Sequence, residues 1–377
     1  MHRIRLLDVL RGFAIIGTLG TNIWIFADLG SLEAMFSNSD APWWTNPDHI
    51  IATVVSLLVN GKFLGMLTIM FGVGLELKRR KAARLGQTWP GLYLWTSFLL
   101  LVDGFLHYLL VMEYDILMSY AVTAMIVAFI VERGTQAIKR TMIAFGILHV
   151  LMISSLFTLL AITNPLHSDT SIADPVALYQ YGTWVEQIQY RYDHFWSYRI
   201  EAIGILPMNI FLFLFGVMLM RSGAFAPDEK GRAIRRKMLR WGLGLGLPLN
   251  LLIFVPGGFF ILPVRYLFAP ILSMGYTLIA KIMEVSWFSS LMARFEEIGK
   301  TALSCYMLQN IIASFIFYGW GLGLGSTYGS LFTVGMWLLI SVLLMAFSHG
   351  WLRIFPTGPV EWVWRRLSEL PVKKRQI

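Results

Sequence analysis

The chain has 377 residues, of which 56% are hydrophobic and only 14% are charged, and its formal net charge at pH 7 is +9. Soluble domains carry about 25% charged residues, so this composition excludes an ordinary soluble globular protein and predicts an integral membrane protein. The single cysteine, Cys305, excludes an internal disulfide framework and a cysteine-rich metal site.

Long apolar runs predict the membrane spans, because about 20 helical residues are needed to cross a bilayer. Ten such runs can be placed along the chain, which predicts an all-α, polytopic membrane helix bundle in a single membrane domain, 1–377. The predicted spans lie near 9–29, 61–77, 91–112, 116–132, 141–162, 200–220, 239–256, 262–283, 301–320 and 329–352. The apolar segment 46–60 is interpreted as an amphipathic or interfacial segment that leads into the second span.

The distribution of lysine and arginine predicts that both termini face the cytoplasm. Cytoplasmic segments of membrane proteins are enriched in these residues, and with this orientation the inner segments hold 26 of the 31. The inner segments are 1–8, 78–90, 133–140, 221–240, 281–300 and 353–377. The positive charge therefore indicates topology, and no nucleic-acid partner is expected.

The first span begins with LDVLRGFAIIGTLGTN, in which Asp8 and Arg11 are three residues apart and share a helical face. A charge at membrane depth costs about 2.5–3.5 kcal/mol on insertion scales, so Arg11 needs a partner. Two interpretations stay open: Asp8 and Arg11 form a structural pair, or Arg11 binds a phosphate or another anion from the cytoplasm. Asn22 lies about 21 Å beyond Asp8 along the helix axis, toward the outer leaflet.

The third and fourth spans contain VDGFLHYLLVMEYDILMSYA. Asp103 and His107 are four residues apart on one face of the third span, and Asp115 follows in the tight outer turn before Tyr120. A neutral histidine can handle protons near pH 7, and a carboxylate can orient it. We therefore predict that His107 is a general base oriented by Asp103 or Asp115; the alternative is that it only joins two helices. His149 in the fifth span lacks an acidic neighbour at helical spacing and is interpreted as structural.

Further polar residues lie at or inside the predicted spans. Lys62 begins the second span, Arg265 begins the eighth, and the ninth carries Gln309 and Asn310. These side chains could line a cavity together with the polar residues of the first and third spans. No His/Asp/Glu set has the spacing of a metal site, and no Walker loop, dinucleotide fingerprint or Gly-x-Ser-x-Gly elbow occurs. No metal and no resident cofactor are therefore predicted.

The longest outer segment, 163–199, contains YQYGTWVEQIQYRYDHFWSYR. It is aromatic and mixed in charge, unlike a flexible polar linker. Trp and Tyr are favoured at membrane interfaces, so we expect this segment to pack on the mouth of the bundle or to lie at the interface.

Several of these segments resemble, in the same order, YeiB-type membrane proteins of the DUF418 group. The similar segments are LDVLRGFAIIGTLGTN, GKFLGMLTIMFGVGLEL, GFLHYLLVMEYDILMSYA, LFGVMLMRSGAF, GKTALSCYMLQNII and FPTGPVEWVWRRL, and together they extend over nearly the whole chain. This group is thought to belong with the membrane acyltransferases, which include acyltransferase family 3 and the heparan glucosaminide N-acetyltransferase type. The resemblance implies a bundle of roughly ten helices that takes an acyl group from a cytoplasmic acyl-CoA and passes it to an acceptor on the outer side.

The resemblance also bears on individual residues. The family 3 relatives have a catalytic histidine at the position of Asn22, and an asparagine cannot act as a general base. The heparan-type enzymes also have asparagine there and use a different histidine. In this interpretation Arg11 helps to hold the donor, Asn22 orients the acceptor or polarises the thioester, and His107 removes the proton of the acceptor.

Three functions stay open from the sequence. The first is an acyltransferase with acyl-CoA as donor substrate and an acceptor at the outer face. The second is a proton-coupled transporter or exporter of a small polar or lipid-like molecule, with Asp103 and His107 as a proton relay, although no internal repeat supports it. The third is a scaffold or sensor in which the polar residues only join helices. The resemblance implies a multi-pass protein of the bacterial inner membrane, in contact with membrane lipids; the oligomeric state is left open.

Overall fold

The structure is a computed structural model that describes residues 4–31, 42–163 and 175–373. These residues form helices and turns, and no strand occurs among them, which confirms the all-α class. The helices are α1 Arg5–Ala27, α2 Pro47–Val59, α3 Lys62–Arg84, α4 Gly91–Leu110, α5 Leu117–Glu132, α6 Thr135–Thr163, α7 Val176–Tyr181, α8 Trp184–Asp193, α9 Phe195–Gly204, α10 Leu206–Ser222, α11 Glu229–Trp241, α12 Leu247–Asn250, α13 Ile261–Ile282, α14 Ser289–Lys300, α15 Ala302–Phe317, α16 Ser330–Ile354 and α17 Pro359–Lys373. A π-helical turn, Gly242–Gly246, joins α11 to α12, and another, Val264–Phe268, lies inside α13.

Within the described ranges, six helical segments are long and apolar enough to cross a membrane. They are α1, α2 together with α3, α4, α6, α13 and α16; α9 and α10, bent by 48° at their junction, form a seventh if they are one span. The protein is therefore a multi-pass membrane protein. The shorter apolar helices α5 and α15 coincide with two more predicted spans. Each predicted span thus has a helical counterpart, while the number of crossings and the inward orientation of both termini stay predictions.

A break of two residues, Asn60 and Gly61, separates α2 from α3. Asn46 caps α2 by accepting a hydrogen bond from the backbone N–H of Asp48, and Pro47 suits the first helical position. Gly61 then adopts a φ of +76°, and a Cβ there would lie 2.5 Å from the carbonyl oxygen of Arg265. Only glycine fits such a left-handed position in close contact with another backbone. The turn therefore holds the start of α3 against α13.

Two glycines bring the backbones of α3 and α10 into close contact. A Cβ at Gly72 would lie 2.0 Å from the carbonyl oxygen of Phe213, and a Cβ at Gly216 would lie 2.1 Å from that of Ile69. Small residues at such crossings are typical of membrane helices, which associate by close packing rather than by a hydrophobic driving force. Gly12 allows a similarly close backbone contact between α1 and α14.

The described ends of the chain lie at the same end of the bundle. Arg5 of α1 pairs with Glu296 of α14 at 2.7 Å, and Glu361 of α17 accepts a hydrogen bond from the backbone N–H of Leu303 at 2.7 Å. Because α14 runs directly into α15, both contacts lie at one end. We call it the basic end, since it carries Arg5 and Lys300.

Helices α7 to α9 cover the opposite end of the bundle, at the turn between α4 and α5. Arg191 of α8 is fully buried and donates to the carbonyl of Leu109 at 2.7 Å and to the hydroxyl of Tyr179 at 3.2 Å. Burial raises the pKa of the Glu113 carboxyl in this turn, and Tyr179 donates a hydrogen bond to it. The described part of the predicted outer segment therefore packs on the bundle; residues 164–174 lie outside the described ranges.

Candidate functional site

His107 on α4 lies in the middle of a buried row of hydrogen-bonded side chains. It is 4% exposed, and its Nδ1 lies 2.9 Å from Oδ2 of Asp115. Its Nε2 lies 3.2 Å from the amide nitrogen of Asn310 on α15. A carboxylate accepts and an amide nitrogen donates, so these two contacts match the imidazole tautomer with its proton on Nδ1 and a lone pair on Nε2. A general base needs this tautomer.

The row continues from Asn310 to α1. The amide nitrogen of Asn22 donates to Oδ1 of Asn310 at 3.3 Å. Asn22 and His107 are therefore linked through a single side chain. We call Asp115, His107, Asn310 and Asn22 the histidine array. The sequence named Asn310 only as a polar residue of the ninth span, and the structure places it at the centre.

Asp115 is held by four hydrogen-bond donors. Its Oδ1 accepts from the backbone N–H groups of Leu117 at 2.8 Å and Met118 at 3.3 Å. Its Oδ2 accepts from His107 and from the hydroxyl of Tyr306 at 3.2 Å. The first-turn N–H groups and the dipole of α5 stabilise a carboxylate at this position. Asp115 is therefore built to stay in place beside the imidazole.

Asp103, the other carboxylate predicted to orient His107, is not the partner of its Nδ1. Within the described ranges, Oδ2 of Asp103 is buried and has no hydrogen-bond partner. The spacing of four residues places Asp103 and His107 on one face of α4, but the imidazole bonds to the carboxylate in the following turn. Of the two alternatives left open by the sequence, the geometry selects Asp115.

We expect Asp115→Asn to lower the free energy of unfolding by about 2 kcal/mol or more. The amide NH₂ that replaces one carboxylate oxygen cannot accept hydrogen bonds from the N–H and O–H donors that surround it. Asp103→Asn is the matched control. It replaces a carboxylate whose buried Oδ2 has no hydrogen-bond partner among the described residues by a neutral amide, so stability should stay unchanged or rise. The thermal unfolding midpoints of both variants in detergent measure this difference. Equal losses would contradict it.

A cavity of about 440 Å³ extends from the basic end to the histidine array. Arg11, Lys78 and Lys300 line it at the basic end, and most of its other lining is apolar. Tyr120 and Tyr306 also line it, and the hydroxyl of Tyr306 bonds to the array. We call it the basic cavity. Its volume lies within the range of about 300–1,000 Å³ that small-molecule sites have.

The cations of the basic cavity are ordered by neighbouring groups. Arg11 lies 3.1 Å from the carboxylate of Asp8 and 3.4 Å from the carbonyl of Gly299. The ammonium group of Lys78 lies 5.0 Å from the ring of Trp364. Arg11 keeps its pairing with Asp8 while it lines the cavity, so a structural pair and an anion-binding role are compatible.

A second cavity, of about 70 Å³, lies on the other side of the histidine array. We call it the polar cavity, and its polar lining includes Thr18, Thr21, Asn22, Tyr114, Asp115, Ser119, Tyr198, Arg199, Glu201 and Arg265. Ile116 lines both cavities. The turn that carries Asp115, together with its hydrogen bond to Tyr306, therefore lies between the two cavities.

Hydrogen bonds order the charged groups of the polar cavity. Arg265 donates to Oε1 of Glu201 at 3.0 Å, and the hydroxyl of Tyr266 donates to the same oxygen at 2.6 Å. Arg199 donates to the carbonyl oxygen of Asp115 at 3.0 Å. Arg199 therefore fixes the turn that presents Asp115 to His107.

Two predicted binding residues lie apart from the array. Lys62 is fully buried and donates to the carbonyl of Ser56 at 3.1 Å. Gln309 is fully buried, and neither polar atom of its side chain is hydrogen-bonded to any described residue. Neither residue lines the basic or the polar cavity. The residue missed from the sequence is Tyr306, although its spacing of four from Asn310 places both on one face of α15.

Comparisons with known proteins agree with the resemblance seen in the sequence. The family model described as "Protein of unknown function (DUF418)" matches residues 219–371. "Uncharacterized protein YxaH" of Bacillus subtilis (strain 168) is 27% identical over 400 residues, which cover 99% of this chain and 97% of that protein. "Uncharacterized protein YeiB" of Escherichia coli (strain K12) is 29% identical over 395 residues, which cover 98% of this chain and 97% of that protein. No solved structure matches the chain. The C-terminal part of the chain is thus similar to the DUF418 family model, and both uncharacterized relatives align with the chain over nearly its whole length.

Proposed function

We propose that this protein is a membrane acyltransferase, which moves an acyl group from an acyl-CoA in the basic cavity to an acceptor in the polar cavity. The supporting observation is the position of the histidine array between the two cavities. Tyr306 lines the basic cavity, Asp115 lines the polar cavity, and their side chains are hydrogen-bonded at 3.2 Å. A donor and an acceptor held on either side would thus meet at the array.

The lining of the basic cavity suits an acyl-CoA. Arg11, Lys78 and Lys300 offer positive charge to the phosphate groups of the donor, since charge-assisted hydrogen bonds to phosphate are among the stronger ones in proteins. The apolar remainder suits an acyl chain and the pantetheine arm. We further propose that the protein lies in the bacterial inner membrane with its basic end toward the cytoplasm, where acyl-CoA is present.

In the proposed reaction, the lone pair on Nε2 of His107 takes the proton of the acceptor hydroxyl or amine. The acceptor atom attacks the thioester carbonyl carbon, the C–S bond breaks, and the thiolate of CoA leaves and recovers the proton from the imidazole. Asp115 holds Nδ1 and stabilises the imidazolium between these steps. The acceptor replaces the amide of Asn310 at Nε2, and Asn22 is placed to orient the acceptor or to donate to the carbonyl oxygen.

The direct test uses purified protein in nanodiscs with radiolabelled acetyl-CoA and longer acyl-CoA. We expect binding of the donor and transfer of the label to a lipid or to an added acceptor. Absence of both binding and transfer at every chain length would contradict the proposal.

A charge deletion tests the donor site. We expect Lys78→Met to weaken acyl-CoA binding about tenfold, because a hydrogen bond to a charged group contributes about 1.5–3 kcal/mol. Lys81→Met is the matched control: it removes an exposed lysine from the same helix, and Lys81 does not line the basic cavity. Dissociation constants from a scintillation proximity assay compare the two. Equal weakening would indicate a general surface-charge effect and would count against a donor site in this cavity.

A proton-coupled transporter is the second candidate, since two cavities that meet at a closed layer containing His107 and Asp115 also suit alternating access. The two functions differ in what happens to the substrate. Uptake into liposomes that follows a proton gradient and leaves the substrate chemically unchanged would favour transport. A covalently acylated product favours the transferase.

A further inference from the structure

A third cavity lies on the membrane-facing side of the bundle, apart from the histidine array. It is a groove of about 600 Å³ between α6, α10 and α13. Only 11% of the apolar window of α6 is buried inside the protein, so this helix mainly faces the lipid. Of the described residues that line the groove, all are apolar except His149 and Tyr266.

His149 brings an unsatisfied acceptor to this groove. It is 5% exposed, and its Nε2 lies 2.9 Å from the carbonyl oxygen of Tyr266. A carbonyl only accepts, so Nε2 carries the proton and Nδ1 of the neutral imidazole presents a lone pair. Within the described ranges Nδ1 is buried and has no hydrogen-bond partner. Such a group costs free energy until a donor reaches it.

We propose that this groove binds a membrane lipid with a free hydroxyl group, whose acyl chain lies along the groove and whose hydroxyl donates to Nδ1 of His149. A second copy of the chain or a soluble ligand would have to displace lipid from a surface that lipid already covers. This proposal is independent of acyl transfer and of the contents of the other two cavities.

The lining favours a neutral hydroxyl over a charged headgroup. No lysine, arginine or carboxylate of the described part of the chain lines the groove, so an anionic or cationic group would be desolvated without a partner. A hydroxyl supplies the donor that Nδ1 lacks, whereas an ester or an ether supplies only acceptors. The groove should therefore distinguish lipids by the presence of one hydrogen-bond donor.

Gly146 on α6 leaves space in the groove for the acyl chain of the lipid. A Cβ at this position would already lie 3.1 Å from the ring of Phe211 on α10, so a larger side chain would fill the groove. Leu148 lies on the same helix, is 45% exposed and does not line the groove. These two positions provide a blocking variant and a matched control.

The test is photo-crosslinking of the intact protein in nanodiscs with a diazirine-labelled diacylglycerol and with its O-methyl ether, which has no hydroxyl. In the wild-type protein we expect the diacylglycerol to label peptides of α6, α10 and α13 about fivefold more strongly than the ether does, as one hydrogen bond allows. Equal labelling by the two lipids, or labelling spread evenly around α6, would overturn the proposal.

Variants test separately the binding of the lipid acyl chain in the groove and the hydrogen bond of the lipid hydroxyl to His149. His149→Leu should abolish the preference for diacylglycerol while both lipids still label the groove. Gly146→Leu should reduce labelling by both lipids, and Leu148→Trp should change neither the amount nor the preference. An unchanged preference in His149→Leu would overturn the role of Nδ1. If that variant unfolds in detergent, the comparison of the two lipids on the wild-type protein still decides the question.

Discussion

Replacing His107 with alanine is expected to lower the rate of acyl transfer by about 10²- to 10⁴-fold, the usual contribution of a general base. Donor binding should change by less than about twofold, because His107 lines neither cavity and the arginine and lysines of the basic cavity are retained. Single-turnover rates at saturating acyl-CoA measure the first effect, and equilibrium binding measures the second. A large loss of transfer rate with nearly unchanged donor affinity is the result expected of a general base.

His349 supplies the control for this experiment. It also pairs with a carboxylate, since its Nδ1 lies 3.1 Å from Glu297, but it lines neither cavity. His349→Ala should keep nearly the full transfer rate. Transfer that survives in His107→Ala, or that is lost equally in both variants, would exclude His107 as the base. The His107 variant leaves Asp115 without one donor, so we also expect a stability loss of about 1–3 kcal/mol, and rates are best compared well below its unfolding temperature.

Gly72→Ala is expected to destabilise the protein by about 3 kcal/mol, because the added Cβ would lie 2.0 Å from the carbonyl oxygen of Phe213 and would force α3 away from α10. Gly74→Ala, two residues further along the same helix, is the matched control. A Cβ at Gly74 has no heavy atom within 4 Å, and alanine favours helix formation over glycine, so its effect should stay within about 1 kcal/mol.

Thermal midpoints from size-exclusion chromatography of heated, detergent-solubilised protein compare the two glycine variants. A midpoint for Gly72→Ala within one or two degrees of that for Gly74→Ala would contradict the close crossing of α3 and α10. A lower yield of folded protein for Gly72→Ala alone would agree with it. The comparison needs no knowledge of the substrate, so it tests the fold separately from the function.

The helical class and the approximate positions of the spans could be predicted because a bilayer leaves few alternatives to a helix for long apolar segments. The breaks within these helices could not be predicted. The span predicted near 200–220 is contained in the pair α9 and α10, which is bent by 48°. The span predicted near 239–256 contains a π-helical turn, where Asn250 donates to the carbonyls of Gly246 at 2.7 Å and Phe268 at 2.9 Å. Contacts such as the hydrogen bond from Asn250 to Phe268 join residues 18 positions apart, and local periodicity does not show them.

The candidate site shows the same limit. His107 and Asn22 were recognisable because polar residues inside apolar runs stand out. Their partner Asn310 is 203 residues from His107, and no local pattern indicates that distance in sequence. Helical spacing favoured Asp103, and only the conformation of the turn after α4 brings Asp115 to the imidazole instead. Lys62 illustrates the converse, because this residue at the start of a span donates a hydrogen bond to a nearby backbone carbonyl and lines neither the basic nor the polar cavity.

The thin division between the basic and polar cavities has an electrical consequence. A membrane potential of about 100 mV corresponds to about 2.3 kcal/mol for each charge that crosses. Here much of that drop would fall over the layer that contains Ile116, which lines both cavities, and the hydrogen bond between Tyr306 and Asp115. The hydrogen-bonded pair of Tyr306 and Asp115 would then separate the two sides of the membrane, next to His107, the proposed base. Any working cycle that separates them has to keep one side sealed while the other admits its ligand, or the cell would lose protons at this point.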